Sequence, residues 1–471
     1  MPITARSYLG ILALGLGTLV GPLDSAVNIA FPYITNAFGL PLTDIRWVIV
    51  SYVLTYSSLM LIFGKLGDLF GHRLIFAAGL LFSAVTFALC ATASEFSWLL
   101  AFRIAQGVGA SLVLSCGPAI ATSLFPEQHR SRALGIYLMM FGIGGVLGPL
   151  IGGMIVEIWG WPAVFWFRMP ISIIALIFVF ILPAPPRQKE REPFDTISAA
   201  LLAIAVSALL LTVTQLQHAG DTPLQFAGLV IITGVAALLY HRRSQHQTSP
   251  VIRISIFRSL PFAILNLSGI AVNLTGFAIL LLVPYYLAKV SSFTVGLGGF
   301  VLALSAIATM LASPAGGWLI GRFAPNRMAF SGIVLVGLSA ILIGMWDDTP
   351  GIWAMSAPLI VSGLGIGLFQ VAYLSAVTGT LPASERGVAG SLALLTRTIG
   401  VVCSASFLTW TLSTFSMHHA GRGLNADASF LAAFQSTFIT VGTCLLVFLF
   451  ATCARPSIWF GRQNEGTKDE R

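Results

Sequence analysis

The stretch Gly64-Lys-Leu-Gly-Asp-Leu-Phe-Gly-His-Arg73 is a short charged turn between two long apolar runs. The runs, 46–63 and 74–93, each approach or reach the roughly 20 residues that a helix needs to cross a bilayer. The glycines permit a tight turn and a close approach of helices. Asp68 is the only acid in the turn, so it needs a cationic or helix N-terminal partner. The stretch therefore predicts two membrane helices joined by a tight turn.

A related turn, Gly317-Trp-Leu-Ile-Gly-Arg-Phe-Ala-Pro-Asn-Arg327, lies at the corresponding place in the second half of the chain. The first Gly, the Leu and the terminal Arg recur, whereas the acid and the second Gly are absent. Such internal repeats are typical of secondary transporters, whose substrate site lies between two bundles near the midplane of the membrane.

Apolar runs continue outward from the first turn in both directions, and the chain is 56% hydrophobic and only 9% charged. Soluble domains carry about 25% charged residues, so a single membrane domain is predicted. We expect fourteen spans, near residues 8–31, 46–63, 74–93, 97–122, 133–156, 162–183, 195–215, 223–240, 261–284, 294–320, 328–346, 352–377, 388–412 and 430–453.

The basic residues test this count. With the N-terminus inside, nineteen of the 25 Lys and Arg residues fall on inner segments, three on outer segments and three within spans. This bias follows the positive-inside rule, and it predicts an even number of helices with both termini in the cytoplasm. It also accounts for the net charge of +8 without nucleic acid. The five cysteines form no CxxC pair, so neither a disulfide framework nor a metal site is indicated.

The predicted fold is an all-α membrane protein with two six-helix bundles and two extra helices between them. Polar stretches at 183–193 and 241–259 mark the boundaries. We expect a first bundle over 1–183, a linker with two helices over 184–260, a second bundle over 261–454 and a cytoplasmic tail over 455–471.

The turn 64–73 resembles the loop signature of the major facilitator superfamily. The positions of the proposed latch are Gly64, Asp68, Gly71 and Arg73; Leu66 also fits, while Leu69 stands where the family has an Arg. In that family the acid latches the two bundles together on the cytoplasmic side. The alternative is an ordinary charged loop.

Leu23-Asp-Ser-Ala-Val-Asn-Ile-Ala-Phe-Pro32 resembles the first-helix signature of the fourteen-helix drug:proton antiporters within this superfamily. Asp24 is the one acid placed deep in a span, and a carboxylate there is costly and functional by default. The resemblance makes it the proton carrier, with Asn28 one turn along facing the substrate cavity. The alternative is a structural acid that is permanently paired with an Arg.

Leu100-Ala-Phe-Arg-Ile-Ala-Gln-Gly-Val-Gly-Ala110 resembles the fourth-helix motif of the same superfamily and supplies Arg103 and Gln106. Counted from the outer ends of their spans, Asp24 and Arg103 differ in depth by only about 5 Å at 1.5 Å per residue. A contact between them is feasible, and breaking it would change the affinity of Asp24 for a proton. Gln106 is expected to line the substrate cavity.

Gly142-Ile-Gly-Gly-Val-Leu-Gly-Pro-Leu-Ile-Gly-Gly153 resembles the fifth-helix motif of exporters in this superfamily. The antiporter-motif positions are Gly144, Gly148, Pro149 and Gly152. Small residues let helices touch, and proline bends a helix. The association is with antiport rather than import, and the alternative is a generic packing seam.

Trp161-Pro-Ala-Val-Phe-Trp-Phe-Arg-Met-Pro170 matches the start of the family's sixth helix less well, with Arg168 where Asn is expected. Arg168 shares the depth of Asp24 and Arg103, and two guanidiniums beside one carboxylate would leave positive charge. This weighs against a simple cation as substrate and against easy protonation of Asp24. Alternatively, Arg168 extends to the outer surface.

The second half is poorer in charge. Asn266, Asn273, Gln370 and Tyr373 could line the substrate cavity, although hydrogen bonding between helices is the more frequent role of such residues. Arg397 belongs to an Arg-x-x-Gly pattern that the family often carries, with no role that the sequence discloses. There is no Walker loop, so ATP drive within this chain is not expected.

The resemblance implies a proton-coupled exporter of amphipathic small molecules, not an enzyme, in a bacterial inner membrane. Its expected partners are a small-molecule substrate, protons and the lipid bilayer, with no nucleic acid, no metal and no cofactor beyond the proton gradient as energy source. A monomer is expected. The alternatives are a dedicated exporter of a metabolite, siderophore or lipid, possibly anionic, and a non-transporting receptor or intramembrane enzyme.

Overall fold

The computed structural model describes most of the chain. The described residues are 5–40, 44–181, 194–216, 220, 222–247, 250–289, 295–348, 350–421 and 425–460. The polar stretch predicted at 183–193 and the tail beyond 460 lie outside these ranges.

The described chain is built from helices. The first half contains α1 (Ala5–Leu19), α2 (Arg46–Phe70), α3 (His72–Ala91), α4 (Phe96–Ser123), α5 (Arg130–Trp159) and α6 (Arg168–Ile181). Then come α7 (Thr196–Gln215), α8 (Pro223–Ser244), α9 (Leu260–Lys289), α10 (Val295–Leu319), α11 (Pro325–Ile343), α12 (Ile352–Thr380), α13 (Arg386–Ala420) and α14 (Ala426–Thr452). Fourteen spans are long and apolar enough to cross a membrane, which confirms the predicted count and fold class.

The first span is not one continuous helix. After α1 the chain continues as a 3₁₀ turn, Pro22–Asp24, and two short helices, Ser25–Ile29 and Phe31–Phe38. Proline has no N–H to donate, so Pro22 and Pro32 each interrupt the helical ladder. Asp24 therefore lies at a break near the middle of the span, where irregular backbone is tolerated only if it is buried in protein or lines a cavity.

The internal repeat is visible in the packing. A Cβ added at Gly64 would lie 2.7 Å from the carbonyl oxygen of Gly387 at the start of α13, and one at Gly317 would lie 2.5 Å from that of Ser131 at the start of α5. The two glycines therefore play the same part in the two halves. Each lets the turn of one bundle approach the helix that begins the matching segment of the other.

The turn 64–73 meets the start of α13, where Gly64 closely approaches Gly387, and we call this end of the molecule the Asp68 end. Further inward along the spans, the hydroxyls of Tyr56 and Thr398 lie 3.4 Å apart. The conformation is therefore closed at the Asp68 end.

The helix α7 contacts both bundles. The Ser58 and Ser207 hydroxyls lie 2.7 Å apart, which joins α2 to α7, and the Ser406 hydroxyl on α13 donates to the carbonyl of Val213 at 2.7 Å. The helix α8 packs against α7. One of the two inserted helices thus spans the boundary between the bundles.

Candidate functional site

Asp24 is the centre of a buried charged cluster inside the first bundle. Arg103 of α4 pairs with it through two hydrogen bonds, Nη1 to Oδ1 at 2.7 Å and Nη2 to Oδ2 at 2.8 Å. Arg168, which begins α6, donates from Nη1 to Oδ1, also at 2.7 Å. The amide of Gln106 adds a third donor to Oδ1 at 3.1 Å. The expected contact between Asp24 and Arg103 is present, and Arg168 joins it.

The guanidinium of Arg103 makes further hydrogen bonds and a cation–π contact. Its Nε donates to the carbonyl of Val48 at 2.8 Å, and its Nη1 also reaches the Gln106 side-chain oxygen at 2.8 Å. Its plane lies over the Tyr52 ring at 4.3 Å. Arg103 is fully buried, and its Nε, Nη1 and Nη2 all donate hydrogen bonds, so it is firmly held as the counter-charge of Asp24 in this conformation.

Arg168 does not extend to the outer surface. Its side chain is 0% exposed, its Nη2 donates to the carbonyl of Val20 at 3.1 Å, and its charge lies over the Phe87 ring at 4.3 Å. Its Nε is buried without a hydrogen-bond partner among the described residues. Arg168 lines a small cavity with room for about one water molecule. It is therefore a member of the cluster, inside the bundle.

The Asp24 carboxylate is the accessible member of the cluster. Its side chain is 15% exposed, while both arginines are 0% exposed. Asn28, predicted to face the substrate cavity, is exposed one turn further along and makes no hydrogen bond with Asp24. Asp24 is therefore the one member of this ion-paired cluster whose side chain keeps some exposed surface.

The glycines of α5 form a seam against the first span. A Cβ at Gly144 would lie 2.8 Å from Pro22 Cγ, and one at Gly152 would lie 2.8 Å from Ala26 Cβ, while Gly148 contacts Ser25. The helix α5 runs without interruption through Pro149. The predicted antiporter motif is thus the surface that holds the broken span and Asp24.

Asp68 joins the two bundles. Its carboxylate accepts backbone N–H groups from Gly387 at 2.8 Å and Val388 at 3.1 Å, at the N-terminus of α13, and pairs with His72 at 3.1 Å. A helix N-terminus favours negative charge. Gly71 has a φ of +99°, which suits glycine at this turn. Arg73 instead donates to the carbonyl of Phe180 and so lies within the first bundle.

Further bonds between the bundles lie beside Asp68, and the sequence did not predict them. Glu127 accepts from Arg386 of α13 at 2.7 Å and from Arg130 at 2.6 Å. The hydroxyls of Ser131 and Ser375 lie 2.9 Å apart across the boundary. The available signal was the repeat itself, since a short 3₁₀ turn precedes both α5 and α13 and an arginine begins each helix. The pairing is invisible locally because its partners lie far apart along the chain.

The polar residues predicted for the second half fall into two groups. Tyr373 donates from its hydroxyl to the Asn266 side-chain oxygen at 2.8 Å, which is the helix-to-helix role. Asn273 donates to the carbonyl of Gly269 on its own helix at 2.7 Å. Gln370 makes no hydrogen bond within the described part of the chain. Asn273, Gln370 and Tyr373 line one small pocket together with Arg397.

Fourteen membrane-length helices in two related bundles, packed around buried charges, define a multi-pass membrane transporter. The comparison with family models agrees. The model described as Major Facilitator Superfamily matches residues 13–405 and 265–466. The chain belongs to this superfamily, as the motifs predicted.

Relatives cover most of the chain at low identity. The riboflavin transporter RibZ of Clostridioides difficile is 26% identical over 94% of this chain and 96% of its own. The tetracenomycin C resistance and export protein of Streptomyces glaucescens is 28% identical over 83% of this chain and 73% of its own. Among solved structures, the human organic anion transporter MFSD10 has a TM-score of 0.69 at 15% identity, covering 95% and 99% of the two chains. That likeness shows the fold alone.

Proposed function

We propose that the protein is a proton-coupled exporter of amphipathic small molecules that works by alternating access. The observation that carries the proposal is the Asp24 cluster, in which the one deep carboxylate is accessible while its two guanidinium partners are buried. The names of several relatives, which include multidrug resistance proteins, support export as the direction.

Protonation is the step that links the cluster to movement. A proton on Asp24 removes the negative charge that holds Arg103 and Arg168, so both ion pairs weaken. The first span is broken beside Asp24 and packs on the glycine seam of α5. The small residues of this seam allow the first span to shift slightly against α5. A change at Asp24 is thereby passed to the boundary between the bundles.

The predicted topology sets the direction of the cycle. With the Asp68 end in the cytoplasm, the conformation described here is closed toward the cytoplasm. Binding of a proton from outside would release the substrate outward and allow the Asp68 end to open for the next cargo molecule. This placement of the ends rests on the charge bias of the loops.

A dedicated exporter of an anionic metabolite is the second candidate. The observation that favours it is the charge of the cluster, since one carboxylate between two guanidiniums leaves one positive charge inside the bundle. A cationic cargo would be repelled by that charge, whereas an anionic one would be attracted.

Efflux from everted vesicles tests the first proposal. Vesicles containing the full chain would be loaded from a chemically diverse panel of cations, anions and neutral compounds, with and without a proton gradient. We expect gradient-dependent uptake into the vesicles, and its loss in Asp24→Asn. Glu157→Gln, which changes an exposed carboxylate of α5, is the matched control and should transport normally.

The outcomes separate the candidates. Gradient-driven transport that survives intact in Asp24→Asn would contradict the proposed proton carrier. Transport restricted to anions would favour the dedicated exporter, and transport of chemically unrelated compounds would favour the multidrug type.

A further inference from the structure

A third guanidinium lies at the boundary between the bundles, away from the Asp24 cluster. Arg397 is on α13, and its Nη1 is buried with no hydrogen-bond partner among the described residues. Its charge lies over the Phe141 ring of α5 at 4.7 Å. A cation inside a membrane span is costly, so it is normally paired or faces a functional cavity. Among the described residues, Arg397 has the Phe141 ring beside it and forms no ion pair with a carboxylate.

The predicted spans contain no spare carboxylate to neutralise it. Of the 17 acidic residues, Asp24 is the one placed deep in a span, and Arg103 and Arg168 already surround it. Three guanidiniums at this depth face one carboxylate, which leaves an excess of two positive charges. An anion from outside the chain could supply the missing negative charge at Arg397.

The position of Arg397 is the one expected for cargo. It lies eleven residues after Arg386, which begins α13, and Phe141 lies eleven residues after Arg130, which begins α5. At 1.5 Å per residue both are about 16 Å from the Asp68 end, near mid-membrane. The two residues occupy equivalent places in the repeat and touch across the boundary. A group bound here would contact both bundles, and its contacts would change when one bundle moves relative to the other.

The pocket beside Arg397 has unused hydrogen-bonding capacity. The Gln370 side chain, which lines the pocket, makes no hydrogen bond within the described residues. On α5, next to the pocket residue Leu138, the hydroxyl of Tyr137 is buried without a partner. The pocket has room for one or two water molecules in this conformation, about the volume of a carboxylate group. Asn273 and Tyr373 also line the pocket, but their side chains already donate to Gly269 and Asn266, and the remaining walls are apolar and include Leu138 and Leu394.

We propose that Arg397 binds the oxyanion of an organic anion, a carboxylate or sulfonate, and that Phe141 and the leucines receive its apolar body. A guanidinium is suited to two-point binding of such a group, and the Gln370 amide supplies another donor. The inference rests on the proposed transport function, since it names the chemical class of cargo for the cavity between the bundles.

A matched pair of probes tests the site. The affinity of the purified full-length protein for 2-naphthoate and for 2-naphthamide would be measured by titration calorimetry, because the two differ in charge but hardly in shape. We expect the wild type to bind the naphthoate at least about 10-fold more tightly. In Arg397→Gln we expect the naphthoate affinity to fall about 10- to 100-fold and the amide affinity to stay within about threefold, as for loss of a charge-assisted hydrogen bond. Arg397→Lys should keep part of the preference.

The control is Arg455→Gln, which removes an exposed guanidinium beyond α14 and should change neither affinity. Three results would overturn the proposal: a wild type without preference for the anion, a preference that persists in Arg397→Gln, or an equal loss of both probes in Arg397→Gln, which would mean a structural role. Failure of the proposed function looks different. In that case the protein would still prefer the naphthoate in an Arg397-dependent way, but efflux would not depend on the proton gradient.

Discussion

Replacing Asp68 by Asn should open the Asp68 end of the molecule. The Asp68 carboxylate is the group that accepts two backbone N–H donors from the other bundle, Gly387 at 2.8 Å and Val388 at 3.1 Å. Asparagine keeps the shape but has one acceptor oxygen. The NH₂ of the asparagine amide would face one of the two backbone N–H groups, so that hydrogen bond is lost. The other hydrogen bond remains, but its acceptor is no longer charged.

The magnitude follows from these two bonds. A hydrogen bond to a charged group contributes about 1.5–3 kcal/mol and a neutral one about 0.5–1.5 kcal/mol. Losing one charged bond and weakening the other gives about 2–4 kcal/mol against the closed conformation. The side chain is only 3% exposed, so solvent screens little of this. The ratio of open to closed protein should therefore rise about 30- to 1000-fold.

The labelling rate of a buried cysteine measures that ratio. Ser375 is 2% exposed at the boundary between the bundles, so Ser375→Cys in a background without the five native cysteines reports opening. While opening is rare, the rate of maleimide labelling is proportional to the open fraction. We expect it to rise by the predicted factor in Asp68→Asn until chemistry becomes limiting.

Asp195→Asn is the matched control. Asp195 also caps a helix, accepting the N–H groups of Ile197 and Ser198, and it pairs with Arg243, but all of these contacts lie within the inserted helices. Its replacement should leave the labelling rate unchanged. Equal rates in Asp68→Asn and the parent, or an equal rise in both variants, would refute the reasoning.

The other predictions concern the charged cluster and the seam. Asp24→Asn should lower the free energy of unfolding by about 3–5 kcal/mol, because it leaves two buried guanidiniums unpaired, and adding Arg168→Gln should restore part of the loss in thermal melts. Arg168→Gln alone should cost less than that, because Arg103 keeps its two-point pairing with Asp24; a melting temperature as low as that of Asp24→Asn would contradict this. Gly152→Ala should lower stability by about 1–3 kcal/mol, because its Cβ would meet Ala26, while Gly145→Ala, which meets open space, should not. Similar melting temperatures for the two glycine variants would contradict this, because they would show that the seam accommodates the added methyl group.

The sequence was sufficient for the parts of the fold that depend on composition and local pattern. Apolar runs and the distribution of basic residues predicted fourteen spans, and the structure has fourteen. Depth counted along the spans placed Asp24, Arg103 and Arg168 in one layer, and the three side chains do meet. These predictions work because a helix converts residue number into depth at a fixed rise.

The sequence could not predict the direction in which a side chain points around its helix axis, nor contacts between residues that lie far apart along the chain. Arg168 could equally have extended to the surface, and only packing against Phe87 and Val20 decides that it does not. Arg73 matches the loop signature, yet it bonds to the carbonyl of Phe180 in its own bundle. Glu127 carries no local signal, because its partner Arg386 is 259 residues away.

The division of charge between the bundles constrains how a proton and an anion could be coupled. A proton on Asp24 adds positive charge, so by direct Coulomb attraction it would strengthen binding of an anion at Arg397, whereas antiport needs the proton to oppose the cargo. At an effective dielectric of about 20, this direct attraction falls below a tenfold effect once the charges are more than about 12 Å apart. At such a separation the direct attraction is smaller than the contribution of the two Asp68 hydrogen bonds, about 2–4 kcal/mol. If the cargo is an anion, export against protons must therefore work through the conformational equilibrium of the bundles, with Asp24 deciding which end is open and Arg397 only holding what is carried.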